Sequence, residues 1–273
     1  RRPLPVCPDI PELIGVVGEQ LVFVLSGTPY FLSFAGQMTE IEFPGEVDDA
    51  SFGQGGVAFV SGSSLWRFGA DGKAVGAYDL AGFDVGRVLP GWDAVVGIGA
   101  PEHCLVQLTP PTDIALPEGA TRARYVAPFA TGVGMVWVDL EQVYRMREGS
   151  LPAALGRAPK VQALAVGPDG CFVIQLEKDT LLAAPRGVAV RLGSVVDAES
   201  ARFSPDGMRA LALDEDGAVL VDLVHGKEIR RWDGDFMPIG FGPEPILLDG
   251  GAGAIVGADG SVLLARFCPP LQD

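Results

Sequence analysis

The sequence predicts an all-β fold, and three observations support that prediction. Short apolar stretches of strand length alternate with turns rich in glycine, proline and aspartate, and the 273 residues include 37 glycines and 22 prolines. A unit of this kind recurs about every 40 residues without linkers between units. No segment has the 3.6-residue apolar period of a helix. Because such a short unit cannot bury its own faces, the repeat indicates a β-propeller.

Seven units fit the chain, so we expect a single seven-bladed β-propeller of four-stranded antiparallel blades, with six blades if the first or last unit is miscounted. The third strand of each unit shows the repeat spacing most clearly. Its central residues are Phe31, Trp66, Val106, Tyr144, Leu182, Leu220 and Leu263. The predicted blades are residues 11–46, 47–82, 83–120, 121–159, 160–197, 198–236 and 237–268.

The turns between the predicted strands follow local conformational rules. Residues 167–170 and 204–207 place proline near the start of a turn and glycine at its end, which suits a type I turn between a first and a second strand. Gly72 and Gly226 stand where a hairpin between third and fourth strands needs a positive φ.

The two ends of the chain are expected to meet. The seventh unit is predicted to lack a fourth strand, because only residues 269–273 follow its last apolar stretch, whereas residues 1–10 are spare. We therefore expect the N-terminal segment to pair with the last blade and close the ring, which removes two free sheet edges.

One unit resembles a repeat of the WD40 family. Its residues 201–207, ARFSPDG, match the first strand and turn of that family, and in VLVDL Val221 stands at the tryptophan position while Asp222 keeps the aspartate. Gly226 and Trp232 also fit the pattern. The resemblance implies a propeller that serves as an interaction platform, because WD40-like propellers mostly recruit proteins and seldom catalyse reactions.

Charge and hydropathy narrow the classes of partner. The formal charge is −15 with a pI near 4.5. Because binding to nucleic acid or to anionic membranes depends on clustered Lys and Arg, neither is expected as a partner. No apolar run approaches the ~18–20 residues of a spanning helix, which predicts no membrane insertion. We expect a soluble, cytoplasmic protein with a protein partner, and the oligomeric state stays open.

Residues for catalysis or cofactor binding are scarce. Only His103 and His225 are present, and they are predicted in loops that open on opposite faces. The four cysteines lack metal-site spacing; Cys171 is predicted to be a small core residue, and Cys7 and Cys268, near the two ends, are either bridged or unpaired. No catalytic, metal or cofactor site is predicted. A propeller enzyme or ligand- or metal-binding propeller with a central polar site, and a purely architectural domain, remain alternatives.

Acidic residues collect in the loops after second and fourth strands, which open on one face of a propeller. Few positive charges are expected there, so this face would attract a basic partner, although aspartate is common in any exposed turn. Residues 214–216 and 233–235 come from loops of one blade and could approach each other, but they lack a complete calcium loop. Exposed aromatic residues would add anchors. The predicted partner-binding residues are Asp48, Asp49, Asp214, Glu215, Asp216, Asp233, Asp235, Phe236 and Trp92.

Overall fold

The predicted all-β class is confirmed by a computed structural model. Its described residues form 28 strands in seven four-stranded antiparallel sheets, together with one four-residue helix. The described residues are 13–33, 37–53, 56–79, 85–88, 94–98, 103–108, 111–114, 118–121, 123–130, 134–147, 149–242, 244–251, 254–258 and 262–264.

Each sheet is a meander in which strands consecutive in sequence are hydrogen-bonded neighbours. Sheets 1 and 2 consist of β1 (Leu13–Val17), β2 (Gln20–Leu25), β3 (Thr28–Ser33), β4 (Met38–Glu40), β5 (Asp49–Gly53), β6 (Gly56–Ser61), β7 (Ser64–Gly69) and β8 (Ala74–Asp79). Sheet 3 consists of β9 (Val85–Val88), β10 (Ala94–Ile98), β11 (His103–Leu108) and β12 (Pro111–Ile114), and α1 (Glu118–Thr121) follows it. Sheets 4 and 5 consist of β13 (Tyr125–Pro128), β14 (Gly134–Asp139), β15 (Gln142–Arg147), β16 (Ala153–Arg157), β17 (Val161–Val166), β18 (Phe172–Leu176), β19 (Thr180–Ala183) and β20 (Val190–Leu192). Sheets 6 and 7 consist of β21 (Asp197–Phe203), β22 (Arg209–Leu213), β23 (Gly217–Asp222), β24 (Lys227–Asp233), β25 (Phe236–Phe241), β26 (Pro245–Asp249), β27 (Ala254–Gly257) and β28 (Val262–Leu264).

Sheets 1, 2 and 7 form one compact unit, here called the terminal unit. Within it β1 lies beside both β5 and β25, so that sheets from the two ends of the chain are neighbours. Phe23 of sheet 1 and Ile246 of sheet 7 belong to one apolar cluster, and Val22 and Phe59 belong to a second cluster that joins sheets 1 and 2. Because sheet 1 is covered on both faces, β2 is an almost continuous apolar run and does not alternate.

Sheets 3 to 6 form a second compact unit, the central unit, whose last residue is Gly234. Its first strands β13, β17 and β21 are successive neighbours, and α1 contacts β11 and β14. Apolar clusters fill the spaces between sheets 4 and 5 and between sheets 5 and 6. Cys171 is fully buried, which confirms it as a core residue, and Trp137 is 2% exposed.

The turn predictions are confirmed where the structure describes the turns. Gly207 N–H donates to the carbonyl of Ser204 at 2.8 Å, closing the turn between β21 and β22. Gly72 and Gly226 have φ values of +75° and +64°, which a residue with a Cβ adopts only at a conformational cost. These turns depend on neighbours in sequence, and for that reason they could be predicted from the sequence.

The prediction for the seventh unit is wrong in one respect. Leu263 lies in β28, the fourth strand of sheet 7, and the third strand is β27. The third and fourth strands of this unit have only four and three residues. The spacing of apolar residues therefore assigned a residue of the fourth strand to the third. Sheet 7 therefore has its own fourth strand, and residues 1–10, which were expected to supply it, lie outside the described residues.

Candidate interaction surface

Asp214 organises the loop between β22 and β23. Its Oδ1 accepts the backbone N–H groups of Asp216 and Gly217 at 3.0 and 3.2 Å, and its own N–H donates to the carbonyl of Gly217. Its Oδ2 lies 2.6 Å from Nη1 of Arg231, and its side chain is only 5% exposed. Asp214 therefore holds the loop in shape, and its carboxylate is not available to a partner.

Arg231, on the fourth strand of the same sheet, neutralises part of this acidic loop. Its guanidinium contacts Glu228 at 2.8 Å, Asp214 at 2.6 Å and Asp216 at 3.5 Å. Hydrogen bonds to Glu228 and then to Asp214 raise the pKa of Arg231. Arg231 was not among the positive charges expected near these loops, because it lies within a fourth strand.

Beside Asp214, the carboxylates of this loop and of the end of β24 are exposed: Glu215, Asp216 and Asp233. The Asp216 side chain is 67% exposed. The N–H of Gly234 donates to the carbonyl of Asp216 at 2.9 Å, which joins the loop after β24 to the loop between β22 and β23. The structure thus brings together residues 214–216 and Asp233, as the sequence analysis considered.

Other acidic loops of the central unit carry their own counter-ions. Glu141 pairs with Arg157 at 2.8 Å, and Asp179 pairs with Arg191 of β20. Glu177 pairs with Lys160. Exposed pairs of this kind add little stability, but they cancel charge locally. Arg157 and Lys160 were among the few positive charges expected near these loops, and Arg191, which reaches Asp179 from a fourth strand, adds to them.

In the terminal unit, two predicted site residues lie at the start of sheet 2. Asp48 accepts the N–H of Gly62 through Oδ2 at 2.6 Å, and Asp49 accepts the N–H of Ala50 at 2.7 Å. Both side chains are exposed. Asp49 is the first residue of β5 rather than a loop residue, so its position is fixed by the ladder with β6.

The remaining predicted site residues differ in their exposure and in whether they lie in a strand or in a loop. Asp235 is exposed, and its carbonyl accepts the N–H of Gly250 at 2.7 Å. Phe236 begins β25 and is half-buried, which leaves only part of its ring for a partner. Asp233 is the last residue of β24 rather than a loop residue. Trp92 lies outside the described residues.

The two histidines lie on different elements of the central unit. His103 is the first residue of β11 and not a loop residue, while His225 lies in the turn before β24. Nδ1 of His225 lies 2.7 Å from Oδ2 of Asp222, whose Oδ1 accepts the N–H of Val224. Burial raises the pKa of the Cys171 thiol far above its usual range. Within the described ranges, no three His, Cys, Asp or Glu residues are grouped to hold a metal ion.

Leu140 is an exposed apolar residue that the sequence analysis did not single out. It lies at the tip of the β14–β15 hairpin, its side chain is 93% exposed, and its φ is +46°. A left-handed conformation is uncommon for leucine. The sequence could have indicated this strain, because a two-residue hairpin connection needs positive φ and Leu140-Glu141 contains neither glycine nor asparagine.

No family model and no curated protein matches the sequence. Among solved structures, the chain is similar to Hsv2 of Kluyveromyces marxianus, with 10% identity over 87% of each chain and a TM-score of 0.57. It is similar to a chain in the crystal structure of a mitotic checkpoint complex, with 12% identity, 98% and 94% coverage of this chain and that one, and a TM-score of 0.57. It is also similar to the Cps50 (Swd1) β-propeller domain of Myceliophthora thermophila, with 12% identity, 92% and 94% coverage, and a TM-score of 0.56.

At these identities the similarity shows the fold alone. Together with the four-stranded antiparallel sheets, it confirms a WD40-like β-propeller. None of the described helices is long and apolar enough to cross a membrane.

Proposed function

We propose that this chain is a non-enzymatic scaffold for protein–protein interactions, and that the acidic loops of sheet 6 bind a basic segment of a partner within a larger complex. One observation carries the proposal: Glu215, Asp216 and Asp233 are exposed on a backbone that other groups hold in place. Asp214 fixes one loop, and the hydrogen bond from Gly234 to Asp216 fixes the other against it.

Such an arrangement favours binding for two physical reasons. A loop that is already ordered loses little conformational entropy when a partner docks. The exposed carboxylates and the net charge of −15 attract a basic partner and raise its association rate. The same charge disfavours nucleic acid and anionic membranes as partners of these loops. The setting we propose is cytoplasmic.

The terminal unit carries proposed partner-binding residues of its own. Asp48, Asp49 and Asp235 are exposed carboxylates, and Phe236 presents part of an aromatic ring. Met237, next to it, is 49% exposed. Trp92 remains a proposed contact on the basis of sequence alone. Asp214, which the sequence predicted as a binding residue, is not proposed as a direct contact, because its carboxylate is bound by Arg231 and by the loop backbone.

The experiment is crosslinked capture of partners from cells of the source organism, followed by mass spectrometry. The test variant combines Glu215→Lys, Asp216→Lys and Asp233→Lys. The matched control reverses three exposed glutamates in the terminal unit, each remote in sequence from sheet 6, and so changes the net charge equally: Glu19→Lys, Glu40→Lys and Glu42→Lys.

The proposal expects a partner that wild type and the control capture but the test variant does not. Added salt should weaken its binding, because the contacts are electrostatic. Equal capture by all three proteins would remove the acidic loops from the interface. A partner lost from both variants would show that net charge alone, and not these loops, drives capture.

A further inference from the structure

The outer two strands of sheet 2 border a cleft that is separate from the acidic loops of sheet 6. The cleft has a volume of about 300 Å³ and is lined by Ser63, Ser64, Trp66, Ala77, Tyr78 and Asp79. These residues belong to β7, to the turn before it, and to β8, which is the last strand of the sheet. This volume is at the lower end of the range for ligand sites, so the cleft, here called the Trp66 cleft, suits a small group.

The register of β7 and β8 brings the chemical groups of the cleft to one face of the sheet. Trp66 lies directly across the ladder from Ala77, and Ser64 lies across from Asp79. Because side chains two residues apart on a strand share a face, the indole, the hydroxyl and the carboxylate are neighbours. Ala77 and Asp79 are exposed, and Trp66 and Ser64 are half-buried. An aromatic ring, an acceptor carboxylate and a hydroxyl therefore border one space.

An aromatic cluster holds the ring of Trp66 in place. The ring of Phe43 meets it edge-on, with 6.2 Å between the ring centroids and an angle of 74° between the planes. Phe43 in turn contacts Phe59 and Phe68 of sheet 2. Trp66 packs with them against the apolar cluster that joins sheets 1 and 2. The indole is thus a preorganised surface, and a ligand that stacks on it orders few additional groups.

A second tryptophan of an outer strand shows which group covers such a ring. In β24 the guanidinium of Arg230 lies over the ring of Trp232, with Cζ 4.8 Å from the ring centroid. The residue two positions before Trp66 is Ser64, and the residue across the ladder is Ala77, so neither of these neighbours is a cation. Trp66 therefore borders the cleft where Trp232 has an arginine of its own chain.

The charge around the cleft is negative. Asp79 lines it, and Asp48 accepts the N–H of Gly62 at 2.6 Å in the turn that carries Ser63. Residues 13–79, which form sheets 1 and 2, include eight Asp and Glu but only two Lys and Arg. An excess of acids of this size attracts a cationic group to the cleft.

The two cations of these sheets do not lie beside Trp66. By the alternation along each strand, the side chains of Arg67 and Tyr78 are on the other face of sheet 2, where Nη1 of Arg67 is 3.5 Å from the Tyr78 hydroxyl. Lys73 pairs with Asp71 at 3.1 Å in the turn at the far end of the β7–β8 hairpin. The negative charge at the cleft is therefore not cancelled by a cation of its own face.

We propose that the Trp66 cleft binds an arginine side chain of a partner protein. The planar guanidinium would stack on the indole of Trp66, as Arg230 does on Trp232, and donate to the carboxylate of Asp79 and the hydroxyl of Ser64. A carboxylate has about four acceptor sites, so Asp79 can accept these bonds beside any that it already makes. Lysine fits less well, because an ammonium group is not planar and is more strongly hydrated.

This inference goes beyond the proposed binding by the acidic loops of sheet 6. It names one side chain and a different place, and it holds whether or not those loops bind a partner. Asp48 is the one residue near the cleft that the sequence predicted as a contact; Trp66 was predicted only as a third-strand residue.

The test is a nuclear magnetic resonance titration of the intact ¹⁵N-labelled protein with three capped tripeptides. Their central residues are arginine, its neutral analogue citrulline, and lysine, each between two glycines. The readout is the indole N–H signal of Trp66, assigned by its loss from the spectrum of Trp66→Phe. The arginine peptide should shift this signal saturably. The citrulline peptide should bind about tenfold more weakly, because it has the same shape but no charge, and the lysine peptide should also bind more weakly.

Two pairs of variants locate the site. Ala77→Arg should place a guanidinium of the chain itself over Trp66 and weaken binding of the arginine peptide by about tenfold or more. Val75→Arg adds the same charge to β8 at a residue that is 63% exposed and should leave the affinity unchanged. Asp79→Asn should weaken binding by about two- to fivefold, whereas Asp71→Asn, at the far end of the hairpin, should not. All four substituted residues are exposed, and the remaining signals of the spectrum verify the fold.

A further variant separates this proposal from the one for sheet 6. The combination of Glu215→Lys, Asp216→Lys and Asp233→Lys should bind the arginine peptide with wild-type affinity at Trp66, whatever it does to the capture of a partner from cells. Loss of the Trp66 shift in that variant would mean that the peptide responds to overall charge and not to this cleft.

Three other results would overturn the proposal. One is an indole signal of Trp66 that does not move at any concentration of the arginine peptide. Another is equal affinity for the arginine and citrulline peptides, because the cleft would then take a neutral polar ligand such as a saccharide or an amide. The third is a wild-type affinity in Ala77→Arg, or an equal loss in Val75→Arg, since either would place the arginine peptide away from the ring of Trp66.

Discussion

Replacing Arg145 by methionine tests whether a buried guanidinium holds sheets 4 and 5 together. Arg145 lies in β15, and its three acceptors lie 25, 39 and 42 residues further along the chain in turns of sheet 5. Methionine keeps most of the apolar stem but donates no hydrogen bond. The change therefore isolates the bonds from the packing.

The magnitude follows from the geometry. Two of the three bonds are short, at 2.9 and 3.0 Å, while the third is 3.3 Å and weaker. A carbonyl left without a donor in a buried site costs about 1–3 kcal/mol. The carbonyl of Ala184 still accepts the N–H of Gly187 at 3.1 Å, so the loss falls on the carbonyls of Gly187 and Gly170, and the Gly170 bond is weak. Because removing the buried charge also returns part of the loss, we expect Arg145→Met to lower the free energy of unfolding by about 1–3 kcal/mol.

Arg145→Lys should have an intermediate effect, because one ammonium group cannot reach the carbonyls of both Ala184 and Gly187 with the geometry of a planar guanidinium. Arg191→Met is the control, since that arginine forms an exposed pair with Asp179 and should matter by less than about 1 kcal/mol. The assay is urea denaturation followed by tryptophan fluorescence and circular dichroism, with the m-value compared between variants. If Arg145→Met unfolds at the wild-type midpoint, water or other donors satisfy these carbonyls and the reasoning fails.

Three further predictions concern the turns and the core. Leu140→Asn should stabilise the protein by about 0.5–1 kcal/mol, because asparagine tolerates the left-handed conformation better than leucine; a melting temperature equal to or below wild type would contradict this. Burial opposes ionisation of Asp222, but hydrogen bonds from His225 and the backbone outweigh it and lower its pKa below 3.8. Its contribution to stability is therefore complete above pH 3.8 and is lost as the pH falls through the lowered folded-state pKa, so wild type should lose more stability than Asp222→Asn on acidification to about pH 2 in urea titrations. Cys171 should react with iodoacetamide only as the protein unfolds, because its thiol is fully buried with a raised pKa; peptide mass spectrometry that finds it alkylated in native buffer would refute its burial.

Much of the fold could be predicted because its signals are local. The turns at residues 167–170 and 204–207 and the positive φ of Gly72 and Gly226 depend on residues adjacent in sequence. The alternation of strands and turns is also local, and it placed six of the seven third strands correctly. The exception was Leu263, where very short strands left too few apolar residues to mark their number.

The candidate site could be predicted only in part. The sequence indicated that residues 214–216 and 233–235 could approach each other, and the bond from Gly234 to Asp216 joins the two segments, although Asp233 ends β24 and is not a loop residue. It could not distinguish Asp214 from its neighbours, although that carboxylate is almost covered by Arg231. Exposure of a charged side chain depends on which residue of another strand reaches it, and adjacent acidic residues have the same appearance in a sequence.

By itself, then, the sequence determined the strands, the turns, the acidic composition and the class of fold. The tertiary structure alone decided which carboxylates are free, where the guanidinium of Arg145 binds, and that Trp66 and Asp79 line one cleft. The physical reason is range: backbone conformation responds to the nearest few residues, whereas ion pairing and burial arise between sheets that the chain brings together only when it folds.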